Sequence, residues 1–538
     1  MRNPYLFLLV LFLNIWMGCS PQETLREKKN QLPNIIWLVA EDQSPEFYSM
    51  YGNSTANTPY LDSLALHGVV YDNAYAPVPV CAPARSAIIT GMYPTSLGTH
   101  NMRTFNAYNP ANQPDANIPS YSPIVPSQVR MFTEYLRAAG YYCTNNAKED
   151  YNFKTLSSAW DESSREATWR NRPEGTPFFA VFNFGITHES QVWAQGDNEL
   201  LVTPESVSVP PVFPDNDTIR KDLAVNYSNI IRMDQQIGAI IDQLKEDGLY
   251  EDSYIFFYGD HGGPFPRYKR ALYDTGLKVP FIVKLPGKTE ASTRSDRLVS
   301  FIDLAPTLLS IAGIPIPEYM QGNAFLGDQT PDEAPEFVFA TSDRFDGQVD
   351  RLRAVRYKNF KYIRNYNRRI SNALPVVYRE QMPMMRNLMQ LYKEGQLEES
   401  VARWFKTPKP AEELYDIEND PYELNNLAGD RTYRDTLEFL RKVVNDWIIE
   451  TKDLGEIDEK ELMESWLKDG QQPVLEPLIV ELEGDGLHFM HAVEDATIIW
   501  KHPSETVWRI YTSPLSNQES IEAKAVRIGF EDSPVYVN

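Results

Sequence analysis

Residues 80–91 read Val80-Cys81-Ala82-Pro83-Ala84-Arg85-Ser86-Ala87-Ile88-Ile89-Thr90-Gly91. The proline disfavours helical backbone at the residue before it, so the segment predicts a helix over residues 86–90 that ends at Gly91. Cys81 would then lie where a loop meets a helix, and the unpaired N–H groups and positive dipole end there favour an anion. Arg85 follows one turn later and can point back to the same place.

A lone cysteine near a helix start is more often a buried thiol than a functional group, and that interpretation stays open on the cysteine alone. The whole pattern is Cys-x-Pro-x-Arg, a small residue, and then Thr90-Gly91. It resembles the signature of the type I sulfatases, in which the cysteine is oxidised to formylglycine (3-oxoalanine). Two later segments, around His100 and Arg103 and around Asp343 and Arg344, are most similar in sequence to bacterial polysaccharide sulfatases related to the sulfamidases and to the heparan- and ulvan-type enzymes.

The resemblance implies the fold class. It is α/β, with the large mixed sheet flanked by helices that is typical of alkaline-phosphatase-like proteins, and a smaller C-terminal α+β subdomain. The similarity extends over about residues 33–450 and includes an amphipathic helix expected between residues 222 and 244.

Composition indicates a globular chain that does not bind nucleic acid. With 538 residues, 42% of them hydrophobic, the chain can form two or more domains and a sizeable core. Its formal net charge of −23 argues against a general polyanion partner. Because a sulfated substrate is also anionic, the resemblance requires basic residues to be concentrated in one pocket. Three cysteines do not indicate a disulfide framework.

The first 19 residues are predicted to be a targeting segment. Arg2 precedes a short apolar run, and Met17-Gly18-Cys19-Ser20 resembles a lipoprotein cleavage box that would leave Cys19 as a lipidated first residue. The alternative is an ordinary secretory signal that is cut nearby. Either interpretation predicts an exported protein, in the periplasm or as an outer-membrane or cell-surface lipoprotein of a Gram-negative bacterium. Residues 20–32 are expected to be a polar tether.

Two strands of the buried type, residues 33–40 and 253–258, lead into acidic residues. Their ends carry four candidate metal ligands: Glu41, Asp42, Asp260 and His261. Open α/β sheets bind ligands at the carboxyl ends of their strands, so these groups would meet at one edge. An oxygen-rich set with one imidazole favours a divalent cation, Ca²⁺ most naturally and Mg²⁺ as the alternative. The resemblance implies the same four ligands beside Cys81, although Glu41 stands where the family more often has Asp.

The resemblance also implies the catalytic set. Arg85, Lys148 and Lys269 would bind the sulfate, and His188 would protonate the departing sugar oxygen. Residue 81, as an aldehyde hydrate beside the metal, would attack sulfur to form a sulfated enzyme, and its second hydroxyl would then expel sulfate. Asp150 stands where the family has a histidine, which leaves the proton acceptor of the second step open.

Two polar segments are candidates for selecting the substrate. The first contains His100 and Arg103, and the second contains Asp343 and Arg344 on an expected rim loop. A solvated surface role is an equally good interpretation of both segments. The chain beyond residue 471 contains short β-rich runs separated by turn signals, which predict a small β-sandwich.

The predicted organisation is a catalytic α/β domain over residues 33–345, a C-terminal subdomain over 346–470 and the small β-rich module over 471–538. The predicted function is an exported sulfatase that hydrolyses sulfate esters of polysaccharide-derived oligosaccharides of the ulvan or heparan type. It would depend on a formylglycine-generating or anaerobic maturation enzyme as a partner. The alternatives are a phosphonate or phosphate ester hydrolase of the same superfamily, and a surface glycan-binding lipoprotein with a decayed site.

Overall fold

A mixed sheet of eight strands positions the predicted site in the computed structural model, which describes residues 32–105, 119–287 and 293–538. Its strands are β1 (Asn34–Ala40), β2 (Val69–Tyr75), β3 (Tyr142–Asn146), β4 (Glu162–Ser163), β5 (Phe178–Phe184), β6 (Ser253–Gly259), β7 (Phe281–Lys284) and β8 (Thr293–Ser300). They lie in the order β4-β3-β5-β1-β6-β7-β2-β8. β1 pairs in parallel with both β5 and β6, whereas β7 is antiparallel to β6 and β2. The central strands are buried on both faces, as their continuous apolar runs predict.

Helices pack on both faces of this sheet. In chain order they are α1 (Pro59–Leu66), α2 (Cys81–Thr90), α3 (Pro94–Leu97), α4 (Phe132–Ala138), α5 (Glu189–Ala194), α6 (Asp217–Glu246), α7 (Asp274–Leu277) and α8 (Leu304–Ile311). The predicted amphipathic helix is confirmed as α6, and Asn216 caps it by accepting a hydrogen bond from the Ile219 N–H at 3.1 Å. Two apolar clusters fill the space between the sheet and its helices. The predicted α/β fold class is therefore confirmed.

Helix α2 begins five residues earlier than predicted, at Cys81 instead of Ser86. Pro83 is the third residue of this helix, where a backbone N–H would have no partner inside the helix, so the missing donor costs nothing. The helix ends as predicted, because Gly91 follows it in the left-handed conformation with φ of 70°.

The rest of the chain adds three antiparallel sheets. The first, in the order β12-β11-β10-β9, contains β9 (Phe337–Phe345), β10 (Gln348–Tyr357), β11 (Phe360–Asn365) and β12 (Glu412–Asp416). The helices of this part are α9 (Pro383–Lys393), α10 (Glu399–Ala402), α11 (Arg434–Glu450) and α12 (Glu459–Trp466). The two last sheets are formed by β13 (Ile479–Glu483), β14 (Gly486–Met490), β15 (Thr497–Lys501), β16 (Arg509–Ile510), β17 (Leu515–Ser516), β18 (Glu522–Val526) and β19 (Tyr536–Val537).

The two last sheets, β13-β14-β17 and β16-β15-β18-β19, pack on each other as the composition of this segment predicts. Leu487 and Phe489 of the first sheet share a buried cluster with Ile521 and Ala523 near the second. Within the described ranges, no helix combines the length and the apolar character that crossing a membrane requires. The targeting segment and Cys19 lie outside the described residues.

Gly276, in the short helix α7, offers a test of how closely the loop behind His261 is packed. A Cβ at this glycine would lie 2.2 Å from the carbonyl oxygens of Tyr268 and Ala271, and both are backbone atoms that cannot rotate away. The Gly276 carbonyl also accepts the N–H of Gly262, next to His261, at 2.9 Å. We expect Gly276→Ala to lower the free energy of unfolding by about 1–3 kcal/mol and to lower the midpoint of thermal unfolding in calorimetry.

Gly429→Ala is the matched control for this substitution. No atom lies within 4 Å of the position of its Cβ, so the free energy of unfolding should change by less than about 0.5 kcal/mol. Equal thermal midpoints for the two variants would contradict the packing described here.

Candidate active site

The site forms where the carboxyl ends of two neighbouring strands meet the start of a helix. β1 and β6 are paired in register to their last residues, Ala40 and Gly259, so the residues that follow each strand emerge side by side. The backbone N–H of Asp42 donates to Asp260 Oδ1 at 3.0 Å and ties the two segments together. Cys81, the first residue of α2, lies against them and is fully buried. The convergence predicted from the strand ends is therefore present in the structure.

Asp42, Cys81, Asp260 and His261 form a compact group in which each residue contributes one atom that could bind a metal. These ligand atoms lie within 4.8 Å of one another. His261 Nε2 is 3.0 Å from Asp42 Oδ1, 3.8 Å from Asp260 Oδ1 and 3.4 Å from Cys81 Sγ. All four residues are buried.

The two carboxylates of this group are oriented by their outer oxygens. Asp42 Oδ2 accepts from Lys269 Nζ at 2.8 Å and from the Glu189 N–H at 2.7 Å. Asp260 Oδ2 accepts from the Arg85 guanidinium at 3.0 and 3.2 Å. Such outer contacts fix the direction of ligating oxygens and are typical of metal sites. Two oriented carboxylate oxygens, an imidazole and residue 81 therefore fit a divalent cation that prefers oxygen ligands.

Glu41, the fifth candidate ligand, lies outside this group. Its Oε2 accepts from Lys148 Nζ at 2.8 Å. Burial would raise the pKa of Glu41, but Lys148 and His188 outweigh it and lower this pKa, and the carboxylate is close enough to the group for Asp260 to oppose them. Its longer side chain thus places Glu41 at the border between the metal group and the predicted sulfate contacts.

Opposite charges in close contact dominate the electrostatics of the site. Burial opposes ionisation of Asp260, but His261 and Arg85 outweigh it and lower its pKa to about 2. Burial also opposes the charged form of His261, yet Asp260 and Asp42 raise its pKa to about 10. Burial would raise the pKa of the Cys81 thiol, but the positive charges of Lys148 and Lys269 lower it to about 6. The site therefore favours an anion at residue 81.

The predicted sulfate contacts surround residue 81. Lys269 is almost fully buried and contacts Asp42, the Glu189 carboxylate at 3.2 Å and His188 Nε2 at 3.2 Å. Arg85 is held by Asp260 and donates to Asn183 Oδ1 at 2.7 Å. Lys148 retains some exposure, with 19% of its side chain accessible. These cations supply the local positive charge that an acidic protein needs in order to bind a sulfate ester.

His188 caps the short helix α5 that follows β5. Its Nδ1 lies 2.9 Å from Ser190 Oγ and accepts from the Ser190 N–H at 3.2 Å, which fixes the ring. Its Nε2 points at Lys269, toward the centre of the site. His188 is partly exposed, so a group outside the protein can reach it.

The candidate substrate residues have different surroundings. Asp343 and Arg344 do not lie on a rim loop, because they belong to the buried strand β9. Asp343 pairs with Arg353, and the Arg344 guanidinium pairs with Glu459. Their charges are thus neutralised inside the protein.

His100 is also buried, 2% exposed, and its Nδ1 has no hydrogen-bond partner in the described part of the chain. Arg103 is half-buried near Cys81, Asp150 and Asp346, whose charges raise its pKa against the opposing effect of burial. No ion pair of Arg103 is found among the residues that the structure describes. Of the four candidates, Arg103 is therefore the one best placed to meet a charged substrate.

Several residues of the site could not be found by sequence reasoning. Arg270 donates to both oxygens of Glu189 at 2.9 Å, and to Asp346 at 2.7 Å. This buried cluster lies directly behind Lys269. Asp150, in the position of the missing histidine, has a buried Oδ2 without a partner in the described ranges. The adjacency of Arg270 to Lys269, and of Glu189 to His188, is the only sequence signal that could have indicated the cluster.

Comparison with known proteins identifies two family models that match the chain. The model described as "Sulfatase" matches residues 33–314, and the model described as "N-sulphoglucosamine sulphohydrolase, C-terminal" matches residues 259–403. The first covers slightly more than half of the chain.

Individual sulfatases also match the chain over most of its length. An ulvan-active sulfatase of Formosa agariphila is 41% identical over 99% of this chain and 97% of its own length. Human N-sulphoglucosamine sulphohydrolase is 25% identical over 78% of this chain and 90% of its own length.

Solved structures share the fold at lower identity. A structure solved in complex with its substrate D-glucosamine-2-N,6-O-disulfate aligns with a TM-score of 0.56 at 17% identity, covering 80% of this chain and 100% of that one. A 2-O glycosaminoglycan sulfatase aligns with a TM-score of 0.56 at 19% identity, covering 79% and 93%. At these identities the structures support the fold alone.

The metal group predicts a response to calcium that depends on Asp42. If the group binds Ca²⁺, a concentration 100 times the Kd should stabilise the folded protein by about 2.7 kcal/mol, seen as a higher thermal midpoint that chelation reverses. We expect Asp42→Asn to lose this shift, because it removes a central ligand charge. Asp222→Asn, at a buried carboxylate of helix α6 far along the chain, should retain it. A calcium shift that survives in Asp42→Asn would contradict the site.

Proposed function

Because the chain belongs to the sulfatase family and is a sulfuric ester hydrolase, we propose that it removes sulfate esters from sulfated oligosaccharides of the ulvan type. The observation that carries the proposal is the convergence of Asp42, Asp260 and His261 on residue 81, ringed by cations. The high identity to an ulvan-active sulfatase over nearly the whole of both chains supports the choice of polysaccharide. Heparan-type glucosamine sulfates are the second candidate, supported by the matching human sulphohydrolase.

The cations would bind and polarise the sulfate group. Lys148, with its accessible side chain, and the buried Lys269 both lie close enough to residue 81 to lower the pKa of its thiol. Arg85 holds the Asp260 ligand and adds a third positive charge near residue 81. Fixed charges of this kind stabilise the charge that moves onto the sulfate oxygens and the leaving oxygen as the ester bond breaks.

Asp42, Asp260, His261 and residue 81 would hold the metal, with Glu41 at its border. When bound, a divalent cation such as Ca²⁺ would lower the pKa of a hydroxyl on residue 81 and orient it. Asp42 and Asp260 would remain in place during the reaction, because Lys269 and Arg85 fix their outer oxygens.

Residue 81 would act as formylglycine, made from the cysteine by a maturation enzyme. Its position supports this role, since the first residue of a ten-residue helix meets unpaired N–H groups and lies among cations. The Cys81 side chain is fully buried in the folded protein. A maturation enzyme would therefore have to act on the chain before it folds.

His188 would donate the proton that the leaving sugar oxygen needs. It is partly exposed, its ring is fixed by Ser190, and its Nε2 faces the centre of the site. Arg103, which lies near Cys81, would meet the charged part of the substrate, and the buried His100, Asp343 and Arg344 would support the site from inside. The unpartnered Oδ2 of Asp150 supports Asp150 as the group that takes over from the missing histidine.

The proposal includes export of the enzyme from the cytoplasm. The apolar run and the lipoprotein-like box at Cys19 support an exported enzyme, with Cys19 as a membrane anchor. A polysaccharide substrate that remains outside the cell would require this location. The alternatives, a phosphate ester hydrolase or a decayed glycan-binding protein, are less well supported, because the chain belongs to the sulfatases and retains every cation of the predicted site.

Replacement of Cys81 tests the nucleophile. We expect Cys81→Ala to lower kcat for sulfate release by at least about a thousand-fold, because it removes the group proposed to attack sulfur. Sulfate released from ulvan oligosaccharides would be measured by ion chromatography. Peptide mass spectrometry of the active wild type should find the aldehyde at residue 81, and an unmodified thiol in an active preparation would contradict the proposal.

Replacement of His188 tests the proton donor, because the need for a proton depends on the leaving group. We expect His188→Ala to lower kcat by about 10²–10⁴-fold for a sugar sulfate and much less for a nitrophenyl sulfate, whose leaving oxygen is already stable as an anion. His67→Ala, at an exposed histidine that follows helix α1, is the matched control and should affect neither substrate. Equal losses on the two substrates would show that His188 does not donate the proton.

A further inference from the structure

The catalytic residues account for the sulfate group, but they leave the sugar that carries it without a binding surface. Helix α5 begins at the catalytic site, since His188 is its capping residue. Trp193 lies one and a half turns along this helix and is only partly buried. A large aromatic side chain left partly exposed beside a catalytic group is a candidate ligand contact.

Trp193 is paired with a residue from a distant part of the chain. The ring centroids of Trp193 and Tyr378 are 5.3 Å apart, and the ring planes meet at 76°. In this edge-to-face arrangement each ring keeps at least one face that the other does not cover. Tyr378 is also partly exposed, and Val377 beside it is 52% exposed. Part of Trp193 packs against the apolar core, and the remaining, partly exposed surface of the pair faces solvent.

Charges of the site show that Tyr378 lies close to the catalytic groups. Burial and the Glu189 carboxylate raise the pKa of Tyr378, while Ser190, Lys269 and Arg103 act against that rise. Ser190 is the residue whose hydroxyl lies 2.9 Å from His188 Nδ1. The phenol is thus separated from the predicted proton donor by one side chain.

We infer that Trp193 and Tyr378 form the platform on which the sugar ring bearing the sulfate ester stacks. The inference rests on the proposed function, because it takes His188 as the donor to the leaving oxygen. The sugar ring is bonded directly to that oxygen, so it must lie within a few ångströms of His188. Trp193 follows His188 by five residues on helix α5, and its partner Tyr378 lies next to Ser190, the residue that contacts His188.

The chemistry of a pyranose fits such a surface. Its ring has apolar C–H faces that pack against aromatic rings, and hydroxyls at its edge that need polar partners. The Tyr378 phenol and the Ser190 hydroxyl supply polar groups at the edge of the pair, and Arg103 supplies a cation near the same place. The platform would thus take a sugar ring and leave the sulfate to the lysines.

A binding measurement tests the platform separately from turnover. In the Cys81→Ala background, which cannot turn over, calorimetry would compare binding of a sulfated ulvan oligosaccharide and of inorganic sulfate. We expect the added Trp193→Ala change to weaken oligosaccharide binding by about 10-fold or more, the size of a well-packed aromatic contact. Binding of inorganic sulfate should change by less than about twofold, because sulfate does not touch the platform.

Two further variants separate stacking from folding. Trp193→Phe keeps an aromatic face and should retain oligosaccharide affinity within about threefold. Val377→Ala, at the exposed neighbour of Tyr378, should change neither ligand. Equal oligosaccharide affinity with and without Trp193, or an equal loss for the oligosaccharide and for inorganic sulfate, would overturn the platform.

The outcome also separates this inference from the proposed function. If the wild type releases no sulfate from any ulvan or glucosamine sulfate while the Trp193→Ala effect on binding is present, the function fails and the platform stands. If the wild type releases sulfate and Trp193→Ala binds and turns over the oligosaccharide normally, the platform fails and the function stands.

Discussion

The rest of the site depends on the buried contacts of the Asp42 carboxylate with Lys269 and His261. Asp42 Oδ1 lies 3.0 Å from His261 Nε2 and Asp42 Oδ2 accepts from the N–H of Glu189, while Lys269 Nζ donates to both oxygens. The backbone N–H of Asp42 holds Asp260. The candidate metal group, the predicted sulfate contact Lys269 and the helix that His188 caps are therefore all joined to one fully buried residue. This arrangement has a backbone cost, because Asp42 has a positive φ of 54°.

Positive φ values recur around the same place. Arg103, Asp150, Arg270 and Asp346 all share this conformation with Asp42. Each such residue costs on the order of 1–3 kcal/mol and persists only when surrounding contacts determine it. For Asp42, Arg270 and Asp346 these contacts are ion pairs, with Lys269 at Asp42 and with Glu189 and Asp346 at Arg270. At these three residues the site therefore combines local strain with a charge network that holds the strained backbone in place.

The sequence predicted those parts of the site that depend on local pattern and on sheet topology. Asp42, Asp260 and His261 could be placed together because parallel strands bring their carboxyl ends to one edge, whatever the rest of the chain does. The predicted start of helix α2 was wrong. The conformational bias against helix at the residue before a proline is small, and the packing of the first helical turn overrides it here. Ion pairs between segments that are distant in the sequence could not be predicted from local pattern. Nothing in the local sequence of Arg344 indicates that Glu459, 115 residues later, neutralises it.

The same long-range pairings explain why an acidic protein can build a site for an anion. Arg344 and Arg353 are neutralised from behind by Glu459, Asp343 and Asp453, so their charges do not reach the substrate. Arg270 is neutralised in the same way by Glu189 and Asp346. Lys148 and Arg103 differ, because the first is paired only with Glu41 and the second has no ion pair among the described residues. With a divalent cation bound, the carboxylates of Asp42 and Asp260 would pair with the metal as well as with Lys269 and Arg85. The positive charges of Lys269 and Arg85 would then be less neutralised. The metal would therefore favour an anionic substrate in two ways. It would activate residue 81, and it would leave more of the positive charge of Lys269 and Arg85 to attract the sulfate group.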